Sequence, residues 1–539
     1  MRPGGVLVLG LDGGTLRVLR PMAAAGLMPA FDRLLAQGRA GTLRSTLPWY
    51  TIPGWTSLMT GVGPGTHGLL YWVVSGEEEY FEGWRRGRRF VTSADISHPT
   101  FWDIAGAAGK RVAVLNMPLT YPAWPVNGAM ITGLLTPKEA KTGACYPADL
   151  LDRFPGYRVD LSISRAAHSP DTPPSQDVDL PAYLRELIEL TEGRARVGSA
   201  LLADEVDLGV VVFVGPDRIS HRAWPEQAAV AEGRGSTGEI ESLIEAYYKA
   251  LDRAVGDLIE ACGPWVTVMV VADHGFGPPP DYTFTVNEWL RRSGYLTLRS
   301  ARARKVVASS PVIKRLARPL IRRLRRRRGS PSERALVNWS RTAAYGVAYS
   351  RTPMFGLVVN RVGVKAEGSV SPQDAAQLVR RLQGDLMTLT DERGRRVVRR
   401  SWTREELGAN ARGFPDLLVE TEPEISPWDG LLATRSFAPF ELPSGLHARD
   451  GVFIVSGAGV RDPGRADADI LDVAPTVLGL LGIAAPDHLE GKTREDILDL
   501  PERVPPPLAV TGPGGRAADI SVDEEREIEA HLRTLGYTD

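Results

Sequence analysis

The chain has 539 residues, 43% hydrophobic and 24% charged, with a formal net charge of −1 at pH 7. That length exceeds one small core and predicts either a large domain with insertions or two domains, while near-neutral charge offers no global attraction to nucleic acid or to an anionic membrane. The two cysteines, Cys145 and Cys262, are far apart in sequence, which excludes a disulfide framework and fits a reducing compartment.

The first apolar run, Gly5-Val-Leu-Val-Leu-Gly-Leu11, leads directly into Asp12. No charged n-region, apolar h-region and cleavage site precede it, and no run approaches the ~20 apolar residues that span a bilayer; the expectation is a soluble cytoplasmic protein. Thr51 stands before Ile52-Pro53, where a helix is predicted to begin near Pro53. Arg111-Val-Ala-Val-Leu-Asn116 is a further buried strand. Leu208-Gly-Val-Val-Val-Phe-Val214 is another, and it runs into Gly215-Pro-Asp217-Arg-Ile-Ser-His221. Ile240, Leu243, Ile244, Tyr247, Tyr248, Leu251, Val255, Leu258 and Ile259 recur at helical spacing, with Gly263 as the C-cap. This helix feeds the run Val266–Ala272, which ends at Asp273-His274. Continuous apolar runs of this kind read as strands buried on both faces, and their alternation with helices predicts an α/β fold with a mostly parallel central sheet flanked by helices.

The alternation weakens after Gly277. Residues 302–328 carry twelve Lys or Arg. Strand character returns at Thr342–Tyr345, Phe355–Asn360, Asp416–Glu420 and Gly451–Ser456, and Leu471–Leu481 reads as a packed helix with Pro475 near its first turn. The predicted division is a core of 1–275 and 405–500, an inserted cap of 276–404 containing the basic segment 302–328, and a Pro/Gly-rich linker from 501 followed by a short acidic helix within 501–539.

Seven residues of metal-ligand or nucleophile type stand out: Asp12, Thr51, Asp217, His221, Asp273, His274 and His447. Most follow predicted core strands, and open α/β sheets bind ligands beyond the carboxyl ends of their strands. Asp217 and His221, four apart, fit one face of a helical turn, and mixed oxygen and nitrogen donors suit Zn2+, Mn2+ or Fe2+. Each pair alone is more often a solvated surface pair, and Thr51 alone more often a helix N-cap. A hydroxyl at a helix N-terminus nevertheless sits where an anion is favoured, and a bound metal would lower its pKa enough for nucleophilic attack. Thr46, Thr56 and Thr60 are competing hydroxyls, the last two inside the helix.

The segments Gly10-Leu-Asp12-Gly-Gly, Thr51-Ile-Pro-Gly-Trp with Thr60-Gly61 and Pro64-Gly-Thr-His67-Gly68, Asn116-Met-Pro118 through Tyr121-Pro122, Asp217-Arg-Ile-Ser-His221, Ala272-Asp273-His274-Gly275, His447-Ala-Arg-Asp-Gly-Val-Phe-Ile and the closing Asp472-Val-Ala-Pro-Thr with Glu490-Gly491 together resemble the alkaline phosphatase superfamily. The similarity is to its type I phosphodiesterase/nucleotide pyrophosphatase branch, and within that to bacterial predicted phosphohydrolase/phosphomutase members. It implies an alkaline-phosphatase-like core with an inserted cap region. It also implies two divalent metal ions, Zn2+ ahead of Mn2+. Asp12, Thr51, Asp273 and His274 would hold one ion, and Asp217, His221 and His447 the other. Thr51 would form a phospho-threonine intermediate between ions roughly 4 Å apart.

Two departures matter. Nucleotide pyrophosphatases carry an asparagine shortly after the segment matching His67-Gly68, where this chain has Leu69-Leu-Tyr-Trp72; the departure puts strict nucleotide specificity in doubt. Sulfatases need Cys or Ser in a C/S-x-P-x-R motif, and Thr51-Ile-Pro-Gly-Trp55 lacks both nucleophile and Arg. The expected function is a metal-dependent phosphoric ester hydrolase acting on a small nucleotide-like or lipid-headgroup-like phosphodiester. Its rivals are a phosphomonoesterase or phosphomutase using the same metals, and a non-catalytic membrane-docking module. Residues 302–328 read as a solvated Arg-rich insertion, a peripheral membrane contact or a lining of the cap. His67 reads as structural, and Trp55, Tyr71 and Trp72 as either pocket wall or core.

Overall fold

In the computed structural model, residues 1–72, 89–138, 140, 142–161, 179–234, 238–299, 336–349, 351–364, 367–408, 413–514 and 521–535 are described. The basic segment 302–328 lies outside them. In chain order the strands are β1 (Val6–Leu11), β2 (Arg39–Arg44), β3 (Val112–Met117), β4 (Gly128–Thr132), β5 (Cys145–Tyr146), β6 (Leu208–Phe213), β7 (Thr267–Val271) and β8 (Gly275–Gly277). Then come β9 (Tyr282–Thr285), β10 (Ala344–Ala348), β11 (Met354–Val359), β12 (Val398–Thr403), β13 (Leu417–Thr421), β14 (Ile425–Trp428) and β15 (Phe437–Pro439). The last are β16 (Leu446–Ala448), β17 (Asp450–Gly457), β18 (Gly464–Arg465) and β19 (Ala468–Asp469).

The chain forms two compact units, one of Met1–Trp72, Phe90–Pro278 and Pro443–Asp539, the other of Val73–Arg89 and Pro279–Leu442. The first carries a ten-stranded sheet in the order β18-β2-β17-β7-β1-β6-β3-β4-β5, with β19 also on β2. Its centre is parallel: β1 pairs in register with β6 and β7, and β3 with β6 and β4. The runs β1, β3, β6 and β7 are buried at every position, as continuous apolar strands covered on both faces must be. The amphipathic helices Leu180–Leu202 and Glu239–Cys262 run before β6 and β7 and bury Leu187, Leu201, Tyr247 and Leu258. The second helix ends at Gly263, whose φ of +82° only glycine adopts easily.

The second unit has a four-stranded sheet, β10-β11-β13-β12, and a three-stranded one, β14-β9-β15. Its own core includes Phe284, Leu357, Leu382 and Val419, with the helix Pro372–Met387 contributing Leu378 and Leu382. It runs to Leu442, beyond the boundary near 404 drawn from sequence, because β13 at Leu417–Thr421 pairs with β11 and β12. Near the end of the first unit, residues 501–514 contribute the bridge Ile483–Val504. The helix Val522–Leu535 buries Ile528 and Leu532, and its Glu524 accepts a hydrogen bond from Tyr121 Oη at 2.7 Å. No helix among the described residues is long and apolar enough to cross a membrane, and both cysteines are buried and unpaired.

Candidate active site

Strands β7, β1 and β6 lie side by side and point the same way, so their carboxyl ends share one edge of the sheet. Asp12 follows β1 directly, and Asp273 stands two residues beyond β7. Asp217 lies in the short helix Gly215–Ser220 just after β6. The two turns after β1 and β6 are joined through the backbone: Asp12 N–H donates to Phe213 O and Asp217 N–H to Asp12 O, both at 2.9 Å. Gly13 between them has φ +65°, and a Cβ there would lie 2.9 Å from Asp217 Cα and from the Phe276 ring. His221 comes one helical turn after Asp217, with its N–H bonded to Asp217 O at 3.0 Å.

His447 arrives from 160 or more residues away on β16, which pairs antiparallel with β8 so that His447 faces Phe276. Its imidazole stacks on that of His274, with ring centroids 3.7 Å apart. The Phe276 ring closes the edge against both His221 and His447. Thr51 is the first residue of the helix Thr51–Thr60, two residues earlier than Pro53, and Tyr50 is the N-cap. Gly54 lets this helix approach closely: a Cβ on it would lie 2.9 Å from Asp273 O.

All seven candidate residues meet in one pocket, and none is more than 4% exposed. Around His274 Nε2 stand Asp273 Oδ2 at 3.3 Å, Thr51 Oγ1 at 3.5 Å and Asp12 Oδ1 at 3.7 Å. Around Asp217 Oδ1 stand His221 Nε2 at 3.2 Å, His447 Nε2 at 3.5 Å and His274 Nε2 at 3.9 Å. His221 Nε2 and His447 Nε2 are 2.9 Å apart. Among the described residues, two three-residue groups have ion-holding geometry, Asp12/Asp273/His274 and Asp217/His274/His447; His274 belongs to both, and His221 adjoins the second.

The electrostatics ask for a cation. Burial, then the charge of Asp217, pushes Asp12 well above the usual carboxylate range. Burial, then Asp12 and Asp217, does the same to Asp273. Burial would also raise Asp217, but the His221 and His447 imidazoles beside it bring it well below that range. His274 is lowered to about 3 by burial and by His447, so its ring is neutral and can donate a lone pair. Its Nδ1–H donates to Gly275 O at 3.1 Å, which leaves Nε2 as the bare nitrogen facing the carboxylates. Asp12 Oδ1 and Asp273 Oδ2 make no hydrogen bond. Buried carboxylates are normally paired, hydrogen-bonded or on a metal, so the residues present fit a divalent pair.

The competing hydroxyls are committed elsewhere. Thr46 donates to Pro48 O, Thr56 to Ile52 O and Thr60 to Thr56 O, at 2.6–2.7 Å. Trp55 and Trp72 are fully buried core rings, and Tyr71, half-buried, stacks on Tyr50 beside His447. Two contacts had no sequence signal: Ser45 Oγ donates to Asp273 O, and the Trp55 indole N–H to Asp12 Oδ2 at 3.2 Å. Glu490 accepts from Gly63 N–H at 2.9 Å and from the Thr66 hydroxyl, fixing the loop after the Thr51 helix.

The sequence profile described as type I phosphodiesterase / nucleotide pyrophosphatase matches residues 6–425. No curated protein sequence matches the chain. Among solved structures, phosphonoacetate hydrolase from Sinorhizobium meliloti 1021, in complex with phosphonoacetate, superposes with a TM-score of 0.52 at 15% identity, over 89% of this chain and 96% of that one. Murine ectonucleotide pyrophosphatase / phosphodiesterase 5 superposes with a TM-score of 0.48 at 12% identity, over 92% and 100%. The first of these similarities shows a shared α/β fold.

Proposed function

Because the chain belongs to the type I phosphodiesterase / nucleotide pyrophosphatase family and is a phosphoric ester hydrolase, we propose that it cleaves small phosphodiesters by way of a phospho-threonine formed on Thr51. The observation that carries this is Thr51 Oγ1, buried at the start of a helix and 3.5 Å from His274 Nε2, in the pocket that gathers three carboxylates and three imidazoles. Asp12, Thr51, Asp273 and His274 would hold one divalent cation, and Asp217, His221 and His447 another, with Zn2+ the expected metal. When bound, such a pair supplies positive charge for the ionised hydroxyl and for the phosphoryl oxygens in the transition state.

In the proposed reaction Thr51 Oγ1 forms a bond to phosphorus as the bond to the leaving alcohol breaks, and that alcohol takes up a proton. Thr51 opens a helix, and helix N-termini favour anions such as the phosphoryl group. Water then attacks the phospho-threonine, releasing a phosphate monoester and restoring the hydroxyl. Arg218, the cation next to Asp217, is engaged by Asp160, and among the described residues the motif segments offer no dedicated Arg or Lys for the second free oxygen of a monoester; this favours diesters. The substrate class is a nucleotide-like or lipid-headgroup-like ester.

The test is Thr51→Ala, assayed on bis-p-nitrophenyl phosphate and on p-nitrophenyl phosphate with metal content measured in parallel. Turnover of the diester is expected to vanish while metal content stays near that of the wild type. Activity surviving in Thr51→Ala would assign the nucleophile elsewhere, and faster wild-type turnover of the monoester would make the protein a phosphomonoesterase.

A further inference from the structure

Asp12 and Asp273 share an unusual symmetry in the pocket: each carboxylate has one oxygen engaged by the protein and one facing His274. Asp12 Oδ2 accepts from Trp55 Nε1–H at 3.2 Å, and Asp273 Oδ1 from Gly13 N–H at 3.2 Å. Asp12 Oδ1 and Asp273 Oδ2 lie 3.7 and 3.3 Å from His274 Nε2 and make no hydrogen bond. The indole that engages Asp12 is held by shape. Trp55 is fully buried, and its ring lies over Gly10 of β1, where a Cβ would come within 2.7 Å of Trp55 Cη2. The ring cannot leave without opening a large hole in the core, so the N–H stays aimed at Oδ2.

We propose that Trp55 is a positioning residue that restricts Asp12 to a single donor oxygen and thereby sets the metal preference of this site toward Zn2+ over Mn2+; the inference rests on the metal-site reading above. A carboxylate with both oxygens free can bind through two, which suits cations that take many oxygen ligands. Zn2+ prefers four single-atom donors of mixed oxygen and nitrogen, and Mn2+ a larger, oxygen-rich shell. One oxygen from Asp12, one from Asp273, His274 Nε2 and Thr51 Oγ1 make a four-donor set. Loss of the indole N–H frees Asp12 Oδ2 to turn inward, which weakens the match to Zn2+ and improves the match to Mn2+. Partners that orient a ligand in this way typically change metal affinity about 10–100-fold when removed.

The experiment uses the full-length apoprotein and Trp55→Phe, which keeps a ring and removes the donor. Zn2+ is titrated against a chelator of known affinity, and free Mn2+ is followed by its paramagnetic resonance signal. The expected result is two equivalents of Zn2+ in the wild type. In Trp55→Phe the ratio of Zn2+ to Mn2+ affinity should fall about tenfold or more at one equivalent, with the other unchanged. A wild type that binds less than one ion overturns the metal-site reading itself. A wild type that binds two ions, with a Trp55→Phe ratio unchanged or equally altered at both equivalents, overturns the role of Trp55 alone. Should the phenylalanine variant unfold, benzothienylalanine at position 55 keeps the indole shape with sulfur in place of N–H, and the same ratio decides.

Discussion

His67 carries a buried imidazole that the chemistry does not use. Its Nδ1 accepts from Leu69 N–H at 3.0 Å, so the ring proton sits on Nε2, 3.0 Å from Ser57 Oγ. A second proton would have to displace the Leu69 contact. Burial, with a smaller contribution from His98, lowers it from 6.5 to about 3. Between those values the unfolded chain binds a proton that the folded chain refuses, so stability falls as pH falls below about 6.5 and levels off near 3. His67→Gln should remove this part of the acid sensitivity. Denaturant titrations at pH 6.5 and 5 should show the wild type losing about 2 kcal/mol more than the variant; equal losses would mean that His67 is protonated in the fold. Individual residues were unevenly legible in the sequence. Asp12, Asp217 and Asp273 stood out because buried strands end beside them. The advantage of Thr51 over Thr56 and Thr60 became physical only when both rivals were found bonded to helix carbonyls. The indole on Asp12 had no signal, since a donor 43 residues away has no spacing to obey.

Among the elements, the helix Gly215–Ser220 has only six residues yet carries Asp217, with His221 at its end. So short a helix has little stability of its own, and it is held from the side. The Arg218 guanidinium forms a two-pronged, buried pair with Asp160, with Nη2–Oδ2 at 2.7 Å. Gly215 fits beneath Tyr247, where a Cβ would lie 2.0 Å from the hydroxyl. Arg218→Met should therefore cost about 3–5 kcal/mol in urea unfolding by taking the guanidinium away from the buried Asp160 carboxylate. The double variant Arg218→Met/Asp160→Leu should recover most of that loss. A small effect in the single variant would mean that the pair is open to solvent. Apolar continuity predicted β1, β3, β6 and β7 to within a residue or two. It missed β2, Arg39–Arg44, which buries Ala40, Gly41 and Leu43 but has no apolar run. It also gave no hint that β17 runs antiparallel between β2 and β7, because local pattern identifies strands and not their neighbours.

For the molecule as a whole, three carboxylates and three imidazoles lie buried side by side. Desolvation of that density of charge opposes folding unless a cation compensates it. Binding only to the folded state, Zn2+ at a hundred times its dissociation constant should add about 2.7 kcal/mol per site. Calorimetric melts should therefore rise with added Zn2+ and fall with chelator. A melting temperature indifferent to both would count against a metal centre in this pocket. The alternation lapses after Gly277, close to where the second unit resumes at Pro279, but nothing local marks that unit's far end at Leu442, since β13 reads like one more core strand while belonging to it. The place of β17 in the sheet also sets an order of events during synthesis. A nascent chain leaving the ribosome can align β7, β1 and β6 once some 270 residues are out, yet β2, made near residue 40, has no neighbour in the sheet until residues 450–457 emerge. His447 emerges only just before them. On the proposed two-metal arrangement, the second cation would be captured only once His447 has been made, and a chain cut short ahead of that point would lack one of its proposed ligands.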